Sequence, residues 1–223
     1  MNPESRRAWK EIVTPEDYER HMADVGQAQA AALLTRSLVR AASLPEGARV
    51  VVVGAGTGQM LDYLEAGLLR PFRLTFTDLN PSFLVVLRKR LSRHHLEATV
   101  VEDDLERTRL ERGSDLILAT LVLEHIDWRH GVKVLTGLRP LACGIVIQEN
   151  PPGMASALTP GRKVPKSFAK AMEIAHPTLI PRDSLIEAMA HARYPCRFAE
   201  SIPVADRKRI IGMLFRQGAK ASV

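Results

Sequence analysis

A glycine-rich turn and three carboxylates have the spacing of a site for a nucleoside. The turn Gly54–Gly58 follows a run of valines, and glycine there permits positive φ and lets a ligand approach the backbone closely. A helix that begins at such a turn presents free N–H groups to a polar or negative ligand. Asp78 follows Gly58 by twenty residues, where a carboxylate can accept hydrogen bonds from both ribose hydroxyls. Asp103 or Asp104 could accept a hydrogen bond from the amino group of an adenine.

Alternating strands and helices would bring these residues to one edge of a sheet. Short β-branched runs predict strands that are buried on both faces, and strand–helix alternation predicts a parallel sheet covered by helices. In such a sheet the carboxyl ends of the strands form the ligand-binding edge. The short connection at Ala205 and Asp206 predicts a final antiparallel hairpin. We predict strands from Arg49, at the start of 114–126, and at 73–80, 97–104, 144–150, 196–204 and 209–217, and helices at 15–44, 59–69, 81–95, 129–140 and 181–193, with a short helical stretch inside the proline-rich segment 151–180.

The spacing of the glycines separates two classes of nucleoside-binding protein. A dinucleotide fingerprint requires G-x-G-x-x-G, and its third glycine position is Gln59 here, so a nicotinamide dehydrogenase is the least favoured interpretation. The pattern is instead G-x-G-x-G in VVVGAGTGQM, and it is followed by FTDLNP, VVEDDLE and DLILATLVLEHI. In these four motifs and their order, the chain resembles the class I S-adenosylmethionine-dependent methyltransferases from about Val50 to Arg216.

The resemblance implies a fold class and a division of the chain. The expected fold is α/β, with a Rossmann-like seven-stranded, mostly parallel sheet, an antiparallel last strand and helices on both faces. We expect a single methyltransferase domain over 1–223. Its parts would be an N-terminal helical lid at 1–44, a cofactor-binding core at 45–150, a substrate-covering insertion at 151–180, and a C-terminal helix and hairpin at 181–223.

The resemblance also implies S-adenosyl-L-methionine as the cofactor. The glycines would lie against its methionine part, Asp78 would hold the ribose, and Asp103 is preferred to Asp104 for the adenine amino group. The family usually has an acid two residues before the first glycine, where this chain has Val52, so His21 or Gln27 could anchor the amino-acid end instead. The expected cofactor-binding residues are Gly54, Gly56, Gly58, Asp78, Leu79, Asn80, Asp103, Asp104 and Leu121.

The candidate catalytic groups follow from the chemistry of methyl transfer, an in-line displacement that is helped mainly by holding donor and acceptor in contact. A base is needed only where the nucleophile must lose a proton. His125 is the first candidate because histidine titrates near neutral pH, and His21 is the second; a packing or capping role stays open for both. Glu124 is a further group on the substrate side, and the expected substrate-binding residues are Tyr18, Gln148, Asn150 and His176.

The net charge of +6 is distributed unevenly along the chain. Residues 1–44 carry six basic and six acidic side chains, residues 45–150 carry 13 and 14, and residues 151–223 carry 12 and 5. The excess, which includes Lys163 and Lys166, lies in the part expected to cover the acceptor and favours an anionic small molecule over a nucleic acid. Aromatic residues make up 5% of the chain, which does not favour a base-stacking surface.

Composition narrows the functional class further. No apolar run approaches the ~18 residues of a membrane span and no signal-peptide pattern begins the chain, so we expect a cytoplasmic protein without membrane contact. Cys143 and Cys196 lack metal-ligand spacing, and no metal is expected. The favoured function is methyl transfer to O, N or C of a small molecule, in small-molecule biosynthesis, by a monomer or homodimer. An RNA or protein methyltransferase and a non-catalytic cofactor-binding or scaffold protein are the alternatives.

Overall fold

The computed structural model describes residues 2–65, 67–159 and 161–218. Pro160, in the predicted insertion, lies outside the described residues, as do both ends of the predicted domain. The described chain forms one seven-stranded sheet in the order β3-β2-β1-β4-β5-β7-β6. The strands are β1 (Arg49–Val53), β2 (Arg73–Asp78), β3 (Ala98–Glu102), β4 (Leu116–Thr120), β5 (Ala142–Glu149), β6 (Cys196–Pro203) and β7 (Arg209–Arg216).

The strand directions confirm the predicted fold class. Strands β1 to β5 pair in parallel, and β7 lies antiparallel between β5 and β6. The helices are α1 (Pro3–Arg7), continued by a π-helical turn at Ala8–Ile12, then α2 (Pro15–Asp24), α3 (Gln27–Ala42), α4 (Pro81–Arg93), α5 (Trp128–Gly137), α6 (Lys166–Ala175) and α7 (Arg182–His191), and short 3₁₀ turns lie at Gln59–Tyr63, Leu105–Arg107, Leu123–His125 and Ala205–Arg207.

Strand β1 shows why these apolar runs form the centre of the sheet. Successive side chains of a strand point to opposite faces, so its valines enter two different cores. Val50 and Val52 pack in the core that includes α3 and α4, whereas Val51 and Val53 pack in the core that includes α5 and α7. A strand with helices on both faces has no solvated side, which explains the unbroken valine run.

The structure corrects two predicted helices. The helix predicted at 15–44 is two helices, because Gly26 takes the left-handed conformation (φ 75°) between α2 and α3. The helix predicted at 59–69 is wrong. A short 3₁₀ segment ends at Tyr63, Leu64 after it is extended, and Gly67 has φ 96°, a value that no right-handed helix accommodates. Ala66 of that predicted helix lies outside the described residues.

The N-terminal segment, residues 2–25, covers the carboxyl edge of the sheet. Ala8 and Val13 pack with Phe83 of α4 and Phe168 of α6 in a third, smaller core. Helix α3 is different, since it packs on the sheet against β7 and β6. Residues before Gly26 therefore cover the edge, while α3 belongs to the layer of helices on one face.

The side chain of Asn80 attaches this N-terminal segment to the sheet. Its Nδ2 donates to the carbonyl oxygens of Trp9 (2.9 Å) and Val13 (3.1 Å). Its Oδ1 accepts from the backbone N–H of Ser82 and so caps α4. One buried amide thus joins the end of β2, the start of α4 and the covering segment.

Candidate functional site

The carboxyl ends of β1, β2 and β4 surround a first cavity of about 680 Å³ that is open to solvent. Most of its lining residues follow the carboxyl ends of the four strands β1 to β4, which the parallel sheet brings to one edge, and others belong to the N-terminal segment that covers this edge. The lining includes Trp9, Tyr18, Gly54, Gly56, Asp78, Leu79, Asp103, Asp104, Leu121 and His125.

The three glycines of the turn have positive φ, but they face different surroundings. A Cβ on Gly54 would overlap the Val122 side chain, and a Cβ on Gly56 would lie 2.8 Å from the Tyr18 hydroxyl. Both line the first cavity. A Cβ on Gly58 would lie 2.5 Å from Cδ1 of Leu87, in the core, so Gly58 shapes the turn while Gly54 and Gly56 leave room at the cavity wall.

Asp78 lies at the end of β2 with both carboxylate oxygens toward backbone donors. Oδ2 accepts from the N–H of Gly56 at 2.8 Å, and Oδ1 accepts from the N–H of Asn80 at 2.9 Å. Burial raises the pKa of Asp78 to about 6, although these backbone bonds act in the opposite direction. Since a carboxylate oxygen has more than one acceptor site, Asp78 can still receive ligand hydroxyls in the cavity.

The neighbouring carboxylates Asp103 and Asp104 both line the first cavity, yet they differ in their partners. Asp104 Oδ2 accepts from Nε of Arg6 at 2.6 Å, and its Oδ1 accepts from the N–H of Glu106. Asp103 Oδ1 accepts from the N–H of Arg109, while its buried Oδ2 has no hydrogen-bond partner among the described residues. An unpaired buried carboxylate oxygen is costly, so Asp103 retains an acceptor position for a ligand donor.

The remaining residues predicted to bind the cofactor divide between the cavity and the core. Leu79 and Leu121 line the first cavity, and Leu121 has φ 53° where the chain leaves β4. Asn80 is buried, and its amide is used for the cap and the two carbonyl contacts described above. Asn80 therefore supports the site from behind instead of lining it.

A second cavity of about 520 Å³ adjoins the first. The two share Trp9, Tyr18, Leu121 and His125 in their walls. The rest of the second cavity is built from α2, α6, the end of β5 and the segment before α7, with Met22, Phe168, Met172 and Leu179 among its apolar residues and His21, Gln27, Glu124 and Gln148 among its polar ones.

Two adjacent ionisable side chains of the 3₁₀ turn after β4 reach this region. The Glu124 carboxylate is buried, and its Oε1 accepts from the N–H of Gln148 at 2.8 Å, whereas Oε2 has no partner within the described chain. Burial raises the pKa of Glu124 to about 7. Burial lowers the pKa of His125 to about 4, its Nδ1 lacks a hydrogen bond to any described residue, and its ring lies edge-on to Trp9 with centroids 4.3 Å apart.

The covering helix α2 contributes two of the predicted residues. His21 lines the second cavity and stacks on Phe168 with ring centroids 4.2 Å apart, and burial, reinforced by Lys208, lowers its pKa to about 4. Tyr18 lies against Gly56 and lines both cavities, and burial raises its pKa. Tyr18, predicted for the acceptor side, thus stands at the boundary between the two cavities.

The other predicted substrate-binding residues are placed unevenly. Gln148 lines the second cavity, but its amide accepts from Nε2 of Gln27 at 2.6 Å and donates to Asn150 and Ala157. Nδ2 of Asn150 donates to the carbonyl oxygens of Met154 and Ser156 in the following loop. His176 is exposed at the end of α6 and lies outside the lining of both cavities.

A third cavity, of about 400 Å³, lies beside the glycine turn and contains Val52 in its wall. Gln59 and Thr120 also line it, and the buried Oε1 of Gln59 and Oγ1 of Thr120 are without hydrogen-bond partners among the residues described. Gln27, suggested as a substitute for the acid missing at Val52, lines the second cavity and is bonded to Gln148. The polar side chains that share this wall with Val52 are therefore Tyr18, Gln59 and Thr120.

The aromatic residues Trp9 and Phe168 line the cavities, although the sequence pattern predicts no role for either. Trp9 lines the first and second cavities, and its ring lies edge-on to Phe168 with centroids 5.9 Å apart. The buried Nε1 of Trp9 makes no hydrogen bond within the described part of the chain. In a chain with 5% aromatic residues, a tryptophan this early in the sequence was the available signal.

The basic residues of the predicted insertion lie away from the cavities. Lys163, Lys166 and Lys170 are exposed, and Arg162 pairs with Asp206 at 2.8 Å. Within the described ranges, no lysine or arginine lines the first or the second cavity. The anionic acceptor stays a prediction.

The described residues contain no group of three or more histidine, cysteine, aspartate or glutamate side chains arranged to hold a metal ion. No helix in the same ranges has the length and apolar character needed to cross a membrane.

A family model described as a methyltransferase domain matches residues 51–142. This range begins in β1 and ends at the start of β5, so it contains the glycine turn and the carboxylates of the first cavity. A curated relative, 5-methylorsellinic acid synthase of Aspergillus terreus, is 46% identical over 69 residues, which is 29% of this chain and 2% of that protein. The chain therefore spans a small part of the length of this relative.

Solved structures resemble nearly the whole chain. Magnesium protoporphyrin IX methyltransferase from Synechocystis, solved with bound S-adenosylhomocysteine, is 15% identical, with a TM-score of 0.65 and coverage of 91% of this chain and 94% of that one. The [4+2]-cyclase SpnF is 14% identical, with a TM-score of 0.64 and coverage of 86% and 83%. At these identities the likeness shows the fold alone, and SpnF illustrates that this fold also occurs in a protein named for another reaction.

Proposed function

We propose that this chain, which matches a methyltransferase-domain model at residues 51–142 and has the fold of the class I S-adenosylmethionine-dependent methyltransferases, moves a methyl group to O, N or C of a small molecule. The cofactor would occupy the first cavity and the acceptor the second. The arrangement that carries the proposal is the shared wall of the two cavities, formed by Trp9, Tyr18, Leu121 and His125.

The side chains and glycines that line the first cavity support a site for S-adenosylmethionine. Asp78 would bind the ribose hydroxyls. Oδ2 of Asp103, which lacks a partner in the described structure, would accept a hydrogen bond from the adenine amino group. Gly54 and Gly56 would leave space for the methionine part beside the third cavity. There, Gln59 and Thr120 would supply oxygens that have no hydrogen-bond partner among the described residues, in place of the acid missing at Val52. When bound, the cofactor supplies a methyl group on a sulfonium.

The contribution of the protein to the reaction would be orientation and exclusion of water. The N-terminal segment covers the edge of the sheet, and Trp9 and Tyr18 close the boundary between the cavities from that side. Holding the acceptor in line with the methyl group converts an encounter of two molecules into a step within one complex. This requires rigid walls more than a strong acid or base.

Calorimetric titration with S-adenosylhomocysteine tests the cofactor site. Wild-type protein should bind the ligand, and Asp78→Ala should abolish measurable binding, because the acceptor of the ribose hydroxyls and the partner of the Gly56 N–H are both lost. Asp183→Asn is the matched control, since Asp183 is exposed on the first turn of α7. Absence of binding by wild-type protein, or unchanged affinity in Asp78→Ala, would contradict the proposal.

The acceptor class is tested with radiolabelled S-adenosylmethionine and a cell extract separated by size. Label should enter the low-molecular-weight fraction. Label in material sensitive to ribonuclease or protease would instead support an RNA or protein methyltransferase. Cofactor binding without transfer into either fraction would support a non-catalytic binding protein. A small-molecule product agrees with the name of the curated relative, a synthase whose product carries a methyl group.

A further inference from the structure

We propose that Glu124 binds the reacting O–H or N–H of the methyl acceptor, and that the acceptor is an uncharged, largely apolar molecule carrying such a group. This inference rests on the proposed function, because it assigns the second cavity to the acceptor. The observation behind it is one buried carboxylate oxygen, Oε2 of Glu124, without a hydrogen-bond partner in the described part of the chain.

The position of Glu124 is fixed by its other contacts. Oε1 accepts from the backbone N–H of Gln148 at 2.8 Å, and the carbonyl oxygen of Glu124 accepts from the N–H of Thr178 at 2.8 Å. The side chain is therefore tied to β5 on one side and the backbone to the segment before α7 on the other. Oε2 is left as an acceptor held in a defined place, and a buried acceptor is stabilised most by a ligand that donates to it.

The neighbours of Glu124 in the second cavity select against an anion. Phe168, Met172 and Leu179 give this cavity an apolar wall, and the basic side chains of the segment 161–170 lie outside its lining. A bound anion would face an acidic group, and the nearby cation Lys208 donates to the carbonyl of Ala157 and is not among the lining residues. An uncharged hydroxyl or amine on an apolar body satisfies Oε2 and buries apolar surface at the same time.

Glu124 is also a better proton acceptor than the adjacent histidine. Burial raises the pKa of Glu124 to about 7, so much of it is ionised at neutral pH, while burial lowers the pKa of His125 to about 4. A base with a pKa near the working pH is the more effective one. The other ionisable groups lining this cavity are Tyr18 and His21 of α2, and Lys208 approaches it by donating to the carbonyl of Ala157.

The methyl transfer needs no reactant besides the cofactor, the acceptor and Glu124. The bond between sulfur and the methyl carbon breaks as the acceptor oxygen or nitrogen forms its bond to that carbon. Glu124 Oε2 takes the proton that leaves the acceptor atom, and the sulfur keeps the electron pair of the broken bond. The carboxyl group then returns the proton to solvent when the product leaves.

Probe binding tests the inference before the natural acceptor is known. We would titrate 2-naphthol, 2-naphthoate and naphthalene into protein saturated with S-adenosylhomocysteine, at pH 6 and pH 8, where a phenolic hydroxyl with a pKa of about 10 stays protonated. Glu124→Gln is the informative variant: its amide oxygen can keep the bond from Gln148 while its NH₂ replaces Oε2. Glu149→Gln is the matched control, because Glu149 is exposed on the same strand as Gln148.

Wild-type protein should bind 2-naphthol at least about tenfold more tightly than either other probe at pH 8, and this preference should shrink at pH 6, where Glu124 is largely protonated. Glu124→Gln should lose about tenfold in 2-naphthol affinity and all dependence on pH, with affinity for S-adenosylhomocysteine unchanged. Tighter binding of 2-naphthoate, or a Glu124→Gln protein with wild-type preference, would overturn the inference. Failure of wild-type protein to bind S-adenosylhomocysteine would instead refute the proposed function.

Discussion

The two neighbouring aspartates at the end of β3 allow a sharp test of which carboxylate accepts the hydrogen bond from the adenine amino group. Asp103→Asn and Asp104→Asn change the same residue type at adjacent positions that both line the first cavity. In Asp103→Asn, the amide oxygen should keep the bond from the Arg109 N–H at 3.2 Å, so the new NH₂ replaces Oδ2 and faces the adenine amino group. Two donors then oppose each other where a donor and an acceptor met.

The size of the effect follows from the bond that is lost. A hydrogen bond to a charged group contributes about 1.5–3 kcal/mol, which corresponds to roughly a 10- to 150-fold increase in the Kd for S-adenosylhomocysteine. Asp104→Asn loses the partly buried ion pair with Arg6 at 2.6 Å. It should lower Tm by about 2–4 °C, for a loss of about 1 kcal/mol, and change the Kd by less than about threefold.

The assay is calorimetric titration of both variants with S-adenosylhomocysteine and with its inosine analogue, in which a carbonyl oxygen replaces the amino group. Asp103→Asn should bind the inosine analogue more tightly than wild-type protein does, because its NH₂ donates to that oxygen. Equal losses for both ligands, or a larger loss in Asp104→Asn than in Asp103→Asn, would refute the assignment of Asp103.

Three further predictions concern the support of the site. Asn80→Ala should lower the free energy of unfolding in urea by roughly 2–4 kcal/mol, because two carbonyls of the N-terminal segment lose their hydrogen-bond donor. Asn2→Ala, which removes only a helix cap, should lower it by about 1 kcal/mol. Equal losses of stability in the two variants would contradict this prediction. Gly56→Ala should weaken S-adenosylhomocysteine binding in calorimetry, because φ is 57° and the added Cβ would contact the Tyr18 side chain. In the control Gly137→Ala the added Cβ has open space, and the ligand should bind with wild-type affinity. Similar affinities in the two variants would argue against a role for the tight turn. The raised pKa of Glu124, from 4.5 to about 7, contributes stability that is fully present below about pH 4.5 and is lost as the pH rises through 7. Glu124→Gln should therefore gain about 2–3 kcal/mol relative to wild type between pH 5 and pH 8 in urea unfolding, and a difference independent of pH would contradict the buried carboxylate.

The sheet was predictable because its strands carry their own signals. The valines of β1 and the run of β5, which is buried from Ala142 to Gln148, lack the alternation of a half-exposed strand and so indicate helices on both faces. Parallel strands place their carboxyl ends at one edge, which is why residues as distant in sequence as Gly56 and Asp103 line the same cavity. This part of the prediction needed only the order of the strands.

The wrong helix after the glycine turn shows where local signals stop. Residues 59–69 have the composition of a helix, but Leu64 turns extended and the chain packs its short 3₁₀ turn against α3. A single turn can be stabilised by tertiary contacts that the local pattern does not encode. Prediction of β1 and Asp78 was unaffected, since neither depends on what connects them.

The acceptor side depends on burial, which the local sequence does not set. His125 is favoured from sequence because histidine titrates near neutral pH. The side chain becomes a weak base because it is buried, with its ring against Trp9, and burial also brings the pKa of the adjacent Glu124 to about 7. Desolvation acts against the charged form of each group, and so it moves the pKa values of an acid and of a base in opposite directions. Two neighbouring residues thereby exchange the roles that their free pKa values suggest. This exchange can be inferred only once the burial of both groups is known.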